Sequence, residues 1–202
     1  MSKMVILSFN NTASTGCANY SGSRTSNAAG AGNALNSGRF FAGVSLLDSD
    51  KSKYSIFDVA NWFLLKETMT HKKLQKLCYY AQAWFYAVKN ERLTDTVFEA
   101  WVHGPVSPVL YDKFKGFGFS AIKILENYET VIKAEDLELL ESVWKTYGDR
   151  TGNALEALSH SEPPWNIARI GYSPNERCEV AISPELMKNY YQSIYLGDKC
   201  SG

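Results

Sequence analysis

The residues best suited to chemistry in this 202-residue chain are its cysteines and its three histidines. Cys78 could serve as a nucleophile if His103 or His160 met it in the folded chain, because such partners need only be close in space. However, Cys78 lies within a stripe of apolar residues, where thiols are usually inert. A cysteine–histidine enzyme is therefore kept only as an alternative hypothesis.

Motifs for metals, nucleotides and cofactors are missing from the sequence. The four cysteines form no C-x-x-C pair, and no histidine is spaced with a second histidine or a cysteine as metal ligands usually are. There is no phosphate-binding glycine loop, dinucleotide-binding fingerprint or zinc-protease motif, and the two glycines of Gly116-Phe117-Gly118 are too few for a phosphate site. The sequence predicts a protein that is not an enzyme and that holds no metal and no cofactor.

The composition indicates a soluble cytoplasmic protein with reduced thiols. The chain has 21 basic and 21 acidic residues, and this balance argues against binding to nucleic acid or to an anionic membrane as its main role. No apolar run approaches the roughly 18 residues of a membrane span, and the run over residues 4–7 is too short for an export signal. The 12 tyrosines and 5 tryptophans suit either a ring-rich core or a protein-binding surface.

The sequence divides into an N-terminal arm, one folded domain and a short tail. Residues 1–50 are mostly serine, asparagine, glycine, alanine and threonine after Phe9, with no period of 2 or 3.6. Such a stretch buries too little apolar surface to offset the entropy of ordering it, so we expect an irregular arm. The folded domain is expected over residues 54–197, and the polar residues 198–202 form the tail.

Apolar residues at helical spacing predict a mainly α domain with minor β, a compact bundle of about six helices and two or three short strands. Ser55 and Asp58 form a capping box before the first helix, and Thr70 caps the second. The second helix has one apolar stripe, which leaves Lys72, Lys73 and Lys76 among the residues of a polar, solvent-facing side. Since these lysines oppose the helix dipole, we expect an acidic partner or an intramolecular carboxylate near them.

The remaining elements follow from local signals. Residues 94–102 and 178–182 have the β-branched or alternating pattern of strands, and a further short strand is predicted over residues 122–125. A helix that begins at Thr151 is expected to stop at Pro163-Pro164. Further helix starts are predicted at Ser107-Pro108, Glu135-Asp136 and Ser183-Pro184.

A two-part signature resembles a known family. Residues 69–84 (MTHKKLQKLCYYAQAW) and 99–111 (EAWVHGPVSPVLY) are similar to the Panacea domain, also called the SocA-like antitoxin domain. Residues 159–165 (SHSEPPW) and 182–185 (ISPE) fit the end of the same domain. The resemblance covers about residues 54–195 and leaves the arm out.

The resemblance implies an antitoxin of a bacterial or phage toxin–antitoxin system that neutralises its cognate toxin by direct protein contact. The toxin would be the product of the adjacent gene. One branch of the family implies an alternative, an adaptor that delivers the toxin to a cytoplasmic protease. An autoregulating DNA-binding protein is a further alternative, which the neutral charge disfavours.

The predicted contact surface combines the polar side of the second helix with the turn that follows the predicted strand. Rigid turns present side chains to a partner at little entropic cost, which is the physical reason for choosing this turn. The competing interpretation is that these residues only solvate or brace the domain. The predicted partner-binding residues are Lys72, Lys73, Lys76, His103, Gly104, Pro105, Tyr111 and Lys115.

Overall fold

The computed structural model describes residues 51–123 and 129–197, so the predicted arm, the tail and the second half of the strand predicted over residues 122–125 lie outside the described residues. Seven α-helices and four short strands occur in the described part, which confirms the predicted mainly α class. The elements in chain order are α1 (Ile56–Lys66), β1 (Met69–Thr70), α2 (His71–Lys89), β2 (Glu99–Trp101), β3 (Gly104–Val106), α3 (Pro108–Phe114), a 3-10 turn (Lys115–Phe117), β4 (Ala121–Ile122), α4 (Ala134–Tyr147), α5 (Gly152–His160), α6 (Pro163–Ala168) and α7 (Pro184–Gly197).

Helix α2 is the centre of the core. It packs most extensively on α7 and also contacts α1, α4, α5 and β3, so that its neighbours surround it. The predicted apolar stripe is buried, and Cys78 and Trp84 on it are almost inaccessible to solvent. The prediction of a solvated polar side is wrong from Lys73 onward, because Lys73 and Lys76 are buried as well.

Three buried polar side chains of α2 hold the backbone of the segment that leads into α3. The Gln75 amide accepts a hydrogen bond from Ser107 N at 2.8 Å and donates one to Ser107 O at 3.1 Å. Gln82 Oε1 accepts from Thr94 N at 2.9 Å, and Lys76 Nζ donates to Pro105 O at 2.9 Å. Buried polar groups are tolerated when they are hydrogen-bonded, and these bonds explain why α2 can be polar on a covered face.

The predicted helix caps are confirmed. Ser55 accepts from Phe57 N and forms the full capping box with Asp58. The Thr70 hydroxyl accepts from Lys73 N, and the Thr151 hydroxyl accepts from Ala154 N. Ser107 accepts from Leu110 N, with Pro108 in the first turn of α3 where its missing N–H costs nothing.

Two small antiparallel sheets complete the domain. Strand β2 pairs with β3 and β1 pairs with β4, so the strand predicted over residues 94–102 is confirmed at its end. The strand predicted over residues 178–182 is reduced to a single bridge between Ala181 and Glu99. The helix end predicted at Pro163-Pro164 is followed at once by α6, because proline also starts helices.

Among residues 51–123 and 129–197, no helix combines the length and the hydropathy that crossing a membrane requires.

Asp136 ties the start of α4 to the first part of the domain. Its buried carboxylate accepts from Tyr54 Oη at 2.7 Å and contacts Lys53 and Lys89. Burial acts to raise the pKa of Asp136, but the hydrogen bonds from Lys89, Tyr54 and Lys53 lower it overall.

Replacing Asp136 with asparagine is expected to lower the free energy of unfolding by about 2 kcal/mol at pH 7, because two partly buried ammonium groups lose their carboxylate. Urea denaturation measures this loss. A depressed pKa contributes stability that is lost as the pH falls through the folded-state value, so the gap between the two proteins should close in acid. Glu141→Gln removes an exposed pair with Lys66 and should cost at most about 0.5 kcal/mol. Equal losses for the two variants would contradict this role of Asp136.

Candidate functional site

The candidate site is the turn between β2 and α3, in which Gly104 takes a backbone conformation that other residues rarely adopt. Gly104 has φ +88°, and it pairs with Trp101 across the β2–β3 ladder. A Cβ at Gly104 would lie 2.8 Å from both Lys76 Cε and Ser159 Oγ. The turn therefore needs glycine for its conformation and for the close approach of α2 and α5.

Lys76 fills the space beneath this turn. Its side chain is 1% exposed, and its ammonium donates to Pro105 O. Burial lowers the pKa of Lys76 to about 7, while Glu156 acts to raise it and the charge of Lys72 lowers it further. The prediction that Lys76 faces outward is wrong, because this lysine fixes the turn from inside.

Glu156 on α5 gathers the charged groups at the edge of the turn. It forms an ion pair with Lys72, and His103 Nδ1 lies 2.9 Å from its Oε1. Partial burial acts to raise the pKa of Glu156, but the hydrogen bonds from Lys72 and His103 lower it overall. Of the two alternatives that the lysines on α2 left open, the structure shows an intramolecular carboxylate, Glu156 beside Lys72. The His103 side chain remains 75% exposed, so it is available to a partner.

Lys73 is placed away from this cluster. Its Nζ lies 3.1 Å from Glu67 Oε2 and 5.5 Å from the centre of the Trp144 ring. Because the side chain is largely buried between these groups, it braces α2 against α4 and does not form a free basic surface.

Tyr111 and Lys115 extend the surface beyond the turn along α3. The Tyr111 ring lies between His71 and Trp101, with centroid distances of 5.3 and 4.9 Å. Lys115 is exposed and its Nζ lies 2.8 Å from Asp112 Oδ1. The structure thus brings Lys72, Lys76, His103, Gly104 and Pro105 together around Glu156, with Tyr111 and Lys115 farther along the same chain segment.

Trp165 on α6 and Arg169 just after α6 bond to the backbone of β2, and neither was predicted to be a site residue. His160, at the end of α5, was predicted only as an alternative partner of Cys78. Trp165 Nε1 donates to Trp101 O at 3.0 Å, and His160 stacks on the Trp165 ring at 4.0 Å. Arg169 donates to Ala100 O at 2.8 Å and lies over the same ring. The motif SHSEPPW contained a signal for the first two, whereas nothing local marked Arg169.

The chemistry of the cysteine hypothesis finds no support in the geometry. Cys78 is fully buried, and burial raises the pKa of its thiol well above the ordinary range. A nucleophilic thiol needs the opposite shift and access to substrate. In the described residues, no group of three or more histidine, cysteine or acidic side chains could hold a metal ion.

Comparison with known proteins identifies the family. The family model for the SocA-like antitoxin Panacea domain matches residues 74–166. Antitoxin SocA of Caulobacter vibrioides (strain NA1000 / CB15N) is 31% identical over 163 residues, which covers 72% of this chain and 87% of that protein. This chain belongs to the SocA-like antitoxin family. No solved structure matches it.

The match to the SocA-like antitoxin family covers most of the site and leaves out Lys72 and Lys73. It begins at Leu74 in α2 and ends at Asn166 in α6, so it includes Lys76, the Gly104 turn and Glu156. The two halves of the signature in the sequence are in direct contact in the structure, through the bond from Lys76 to Pro105.

Proposed function

We propose that this chain is an antitoxin that neutralises a cognate toxin by binding it directly, and that the toxin is encoded by the adjacent gene. The observation that carries the proposal is the relationship to Antitoxin SocA, which extends over 87% of that protein. The rigid turn supports it, because a surface that is ordered before binding loses less entropy when the partner arrives.

The proposed contact surface is made of the predicted residues that reach solvent. His103 and Lys115 are exposed, and Lys72 and Tyr111 are partly exposed. Buried residues hold these side chains in place and do not touch the toxin in this proposal. The supporting residues are Lys73, Lys76, Gly104 and Pro105.

Co-expression with the product of each adjacent open reading frame tests the proposal. We expect one such product to arrest growth, and this chain to restore growth and to co-purify with that product. The proposal is overturned if this chain restores growth against none of the neighbouring products and co-purifies with none of them. The same experiment in a host that lacks its cytoplasmic proteases distinguishes direct neutralisation from the alternative, delivery of the toxin to a protease. Direct neutralisation leaves the toxin level unchanged, whereas an adaptor lowers it only when the protease is present.

Replacing His103 with alanine is expected to weaken toxin binding about fivefold or more, because the side chain is exposed at the centre of the proposed surface. The free energy of unfolding should change by no more than about 0.5 kcal/mol, since the lost contact with Glu156 is a surface one. Isothermal titration calorimetry and urea denaturation measure the two effects. Arg177→Ala is the matched control, because it truncates a similarly exposed side chain that also pairs with a glutamate, Glu179. Equal toxin affinity for both variants would remove His103 from the contact surface.

A further inference from the structure

The loop between α3 and β4 presents two aromatic rings to solvent. The phenylalanine loop, Lys115–Ser120, carries Phe119 at 101% relative exposure and Phe117 at 44%. Val109, on the preceding helix, is also exposed. Exposed apolar side chains that cluster on one segment mark sites where a partner binds.

The backbone of the phenylalanine loop is hydrogen-bonded within itself. Gly118 N donates to Lys115 O at 3.1 Å, and Ser120 N donates to Phe117 O at 2.9 Å. The Phe117 ring lies 6.1 Å from that of Phe114. Gly118 has φ +54°, and a Cβ there would meet nothing within 4 Å, so this glycine makes the turn and leaves the space above it open. A loop of defined shape therefore holds the Phe119 ring outward.

The surroundings of the rings are basic. Residues 112–123 (DKFKGFGFSAIK) contain three lysines and one acidic residue, Asp112, which pairs with Lys115, so this segment has a net charge of +2 although the whole chain has zero net charge. Lys113, Lys115 and Lys123 are all exposed. An apolar anchor within a basic rim fits a partner with an apolar pocket and acidic residues around it.

We propose that the phenylalanine loop docks on the toxin, with Phe119 entering an apolar pocket that carries aspartate or glutamate at its rim. This inference rests on the proposed function, because the occupant is the toxin itself. Aromatic side chains that fill a partner pocket contribute much of the energy of an interface. The loop directly follows α3, which carries Tyr111 of the proposed contact surface, and Lys115 of that surface is the first residue of the loop.

Single-stranded nucleic acid is the competing occupant, because the run K-G-F-G-F of residues 115–119 follows the start of a common RNA-binding pattern. In that pattern the rings lie two apart on a strand, so they share one face on which bases stack. Here the segment is a 3-10 turn followed by Gly118 with positive φ, so the two rings do not extend from one strand face. The loop geometry favours a protein pocket.

The test compares wild type with Phe119→Ser and with Leu196→Ser, which changes an exposed apolar side chain on α7. The probe is the growth-arresting product of the adjacent gene. We expect Phe119→Ser to weaken binding at least about thirtyfold and to abolish growth rescue, with an unchanged unfolding midpoint. Leu196→Ser should bind as wild type does. Equal binding by Phe119→Ser and wild type overturns the anchor and leaves the antitoxin proposal intact. Failure of wild type itself to bind overturns both.

A charge-reversed variant tests the acidic rim. Changing Lys113, Lys115 and Lys123 to glutamate should slow association with the toxin at least about tenfold at low salt. A wild-type association rate that does not depend on salt would contradict the acidic rim. Two measurements without toxin test other occupants, namely fluorescence polarisation with a mixed-sequence single-stranded RNA of about 12 nucleotides and light scattering. Binding of the RNA, or self-association, that is lost in Phe119→Ser would overturn the toxin as occupant.

Discussion

Replacing Gly104 with alanine lowers the free energy of unfolding by about 4 kcal/mol. The positive φ of Gly104 accounts for about 1–2 kcal/mol, the cost of a left-handed backbone for a residue with a Cβ. The rest comes from crowding, since the new Cβ would lie 2.8 Å from Lys76 Cε and Ser159 Oγ. Lys76 cannot move aside cheaply, because its buried ammonium would leave its acceptor on Pro105. Urea denaturation at pH 7 measures the loss.

Two other glycines separate the causes of this loss. Gly171 also has a positive φ, of +93°, but a Cβ there would meet nothing within 4 Å, so Gly171→Ala should cost only about 1–2 kcal/mol. Gly116 has no positive φ and is equally open, so Gly116→Ala should be close to neutral. The difference in the free energy of unfolding between Gly104→Ala and Gly171→Ala measures the effect of the close approach of α2 and α5 to the turn. If Gly104→Ala cost no more than Gly171→Ala, the turn would not be locked by Lys76.

The buried lysine and the glycine above it connect the two distant halves of the signature in this chain. Lys76 and Gln75 belong to the first half, and their side chains bond to the backbone of Pro105 and Ser107 in the second. Gly104 must be small because Lys76 occupies the space beneath it. Each half of the signature thus sets a requirement on the other, although they are far apart in the chain.

The local parts of the fold were predictable from the sequence. Capping side chains and apolar spacing act within a few residues, so Ser55, Thr70, Ser107 and Thr151 marked helix starts that the structure confirms. Proline was ambiguous, because it both ends and begins helices, and α6 was missed for that reason.

The burial of α2 could not be predicted from its own residues. A stripe of apolar side chains normally indicates one covered face, and the polar remainder is then expected in solvent. Here backbone groups at residues 94, 105 and 107 hydrogen-bond to Gln82 Oε1, Lys76 Nζ and the Gln75 amide, so the polar side is covered too. These partners are non-local, and only the folded chain brings them together. The lysines predicted an acidic group near them, in a partner or within the chain, but the sequence did not show that Glu156 supplies it.

The stability of this protein should depend on pH through a buried acid, and Glu162→Gln removes that dependence. Glu162 accepts hydrogen bonds from Tyr191 Oη at 2.6 Å and Tyr80 Oη at 3.2 Å. Burial raises the pKa of Glu162 from 4.5 to about 7, although both tyrosine hydrogen bonds act to lower it. A raised pKa contributes stability that is fully present below the unfolded-state value and lost as the pH rises through the folded-state value. Wild type should therefore lose about 3 kcal/mol relative to Glu162→Gln between pH 4 and pH 8.

Urea denaturation at closely spaced pH values measures the free energy of unfolding of both proteins. Subtracting one curve from the other cancels the titration of every group that the substitution leaves unperturbed. Glu156→Gln is the matched control with the opposite sign, because the pKa of Glu156 is lowered in the folded protein. That variant should have a lower free energy of unfolding than wild type at pH 7. The difference should shrink as the pH falls through the lowered pKa of Glu156. A difference between Glu162→Gln and wild type that stays constant from pH 4 to pH 8 would show that Glu162 titrates normally. The tyrosine-lined interior between α2 and α7 would then be open enough to solvate a charge.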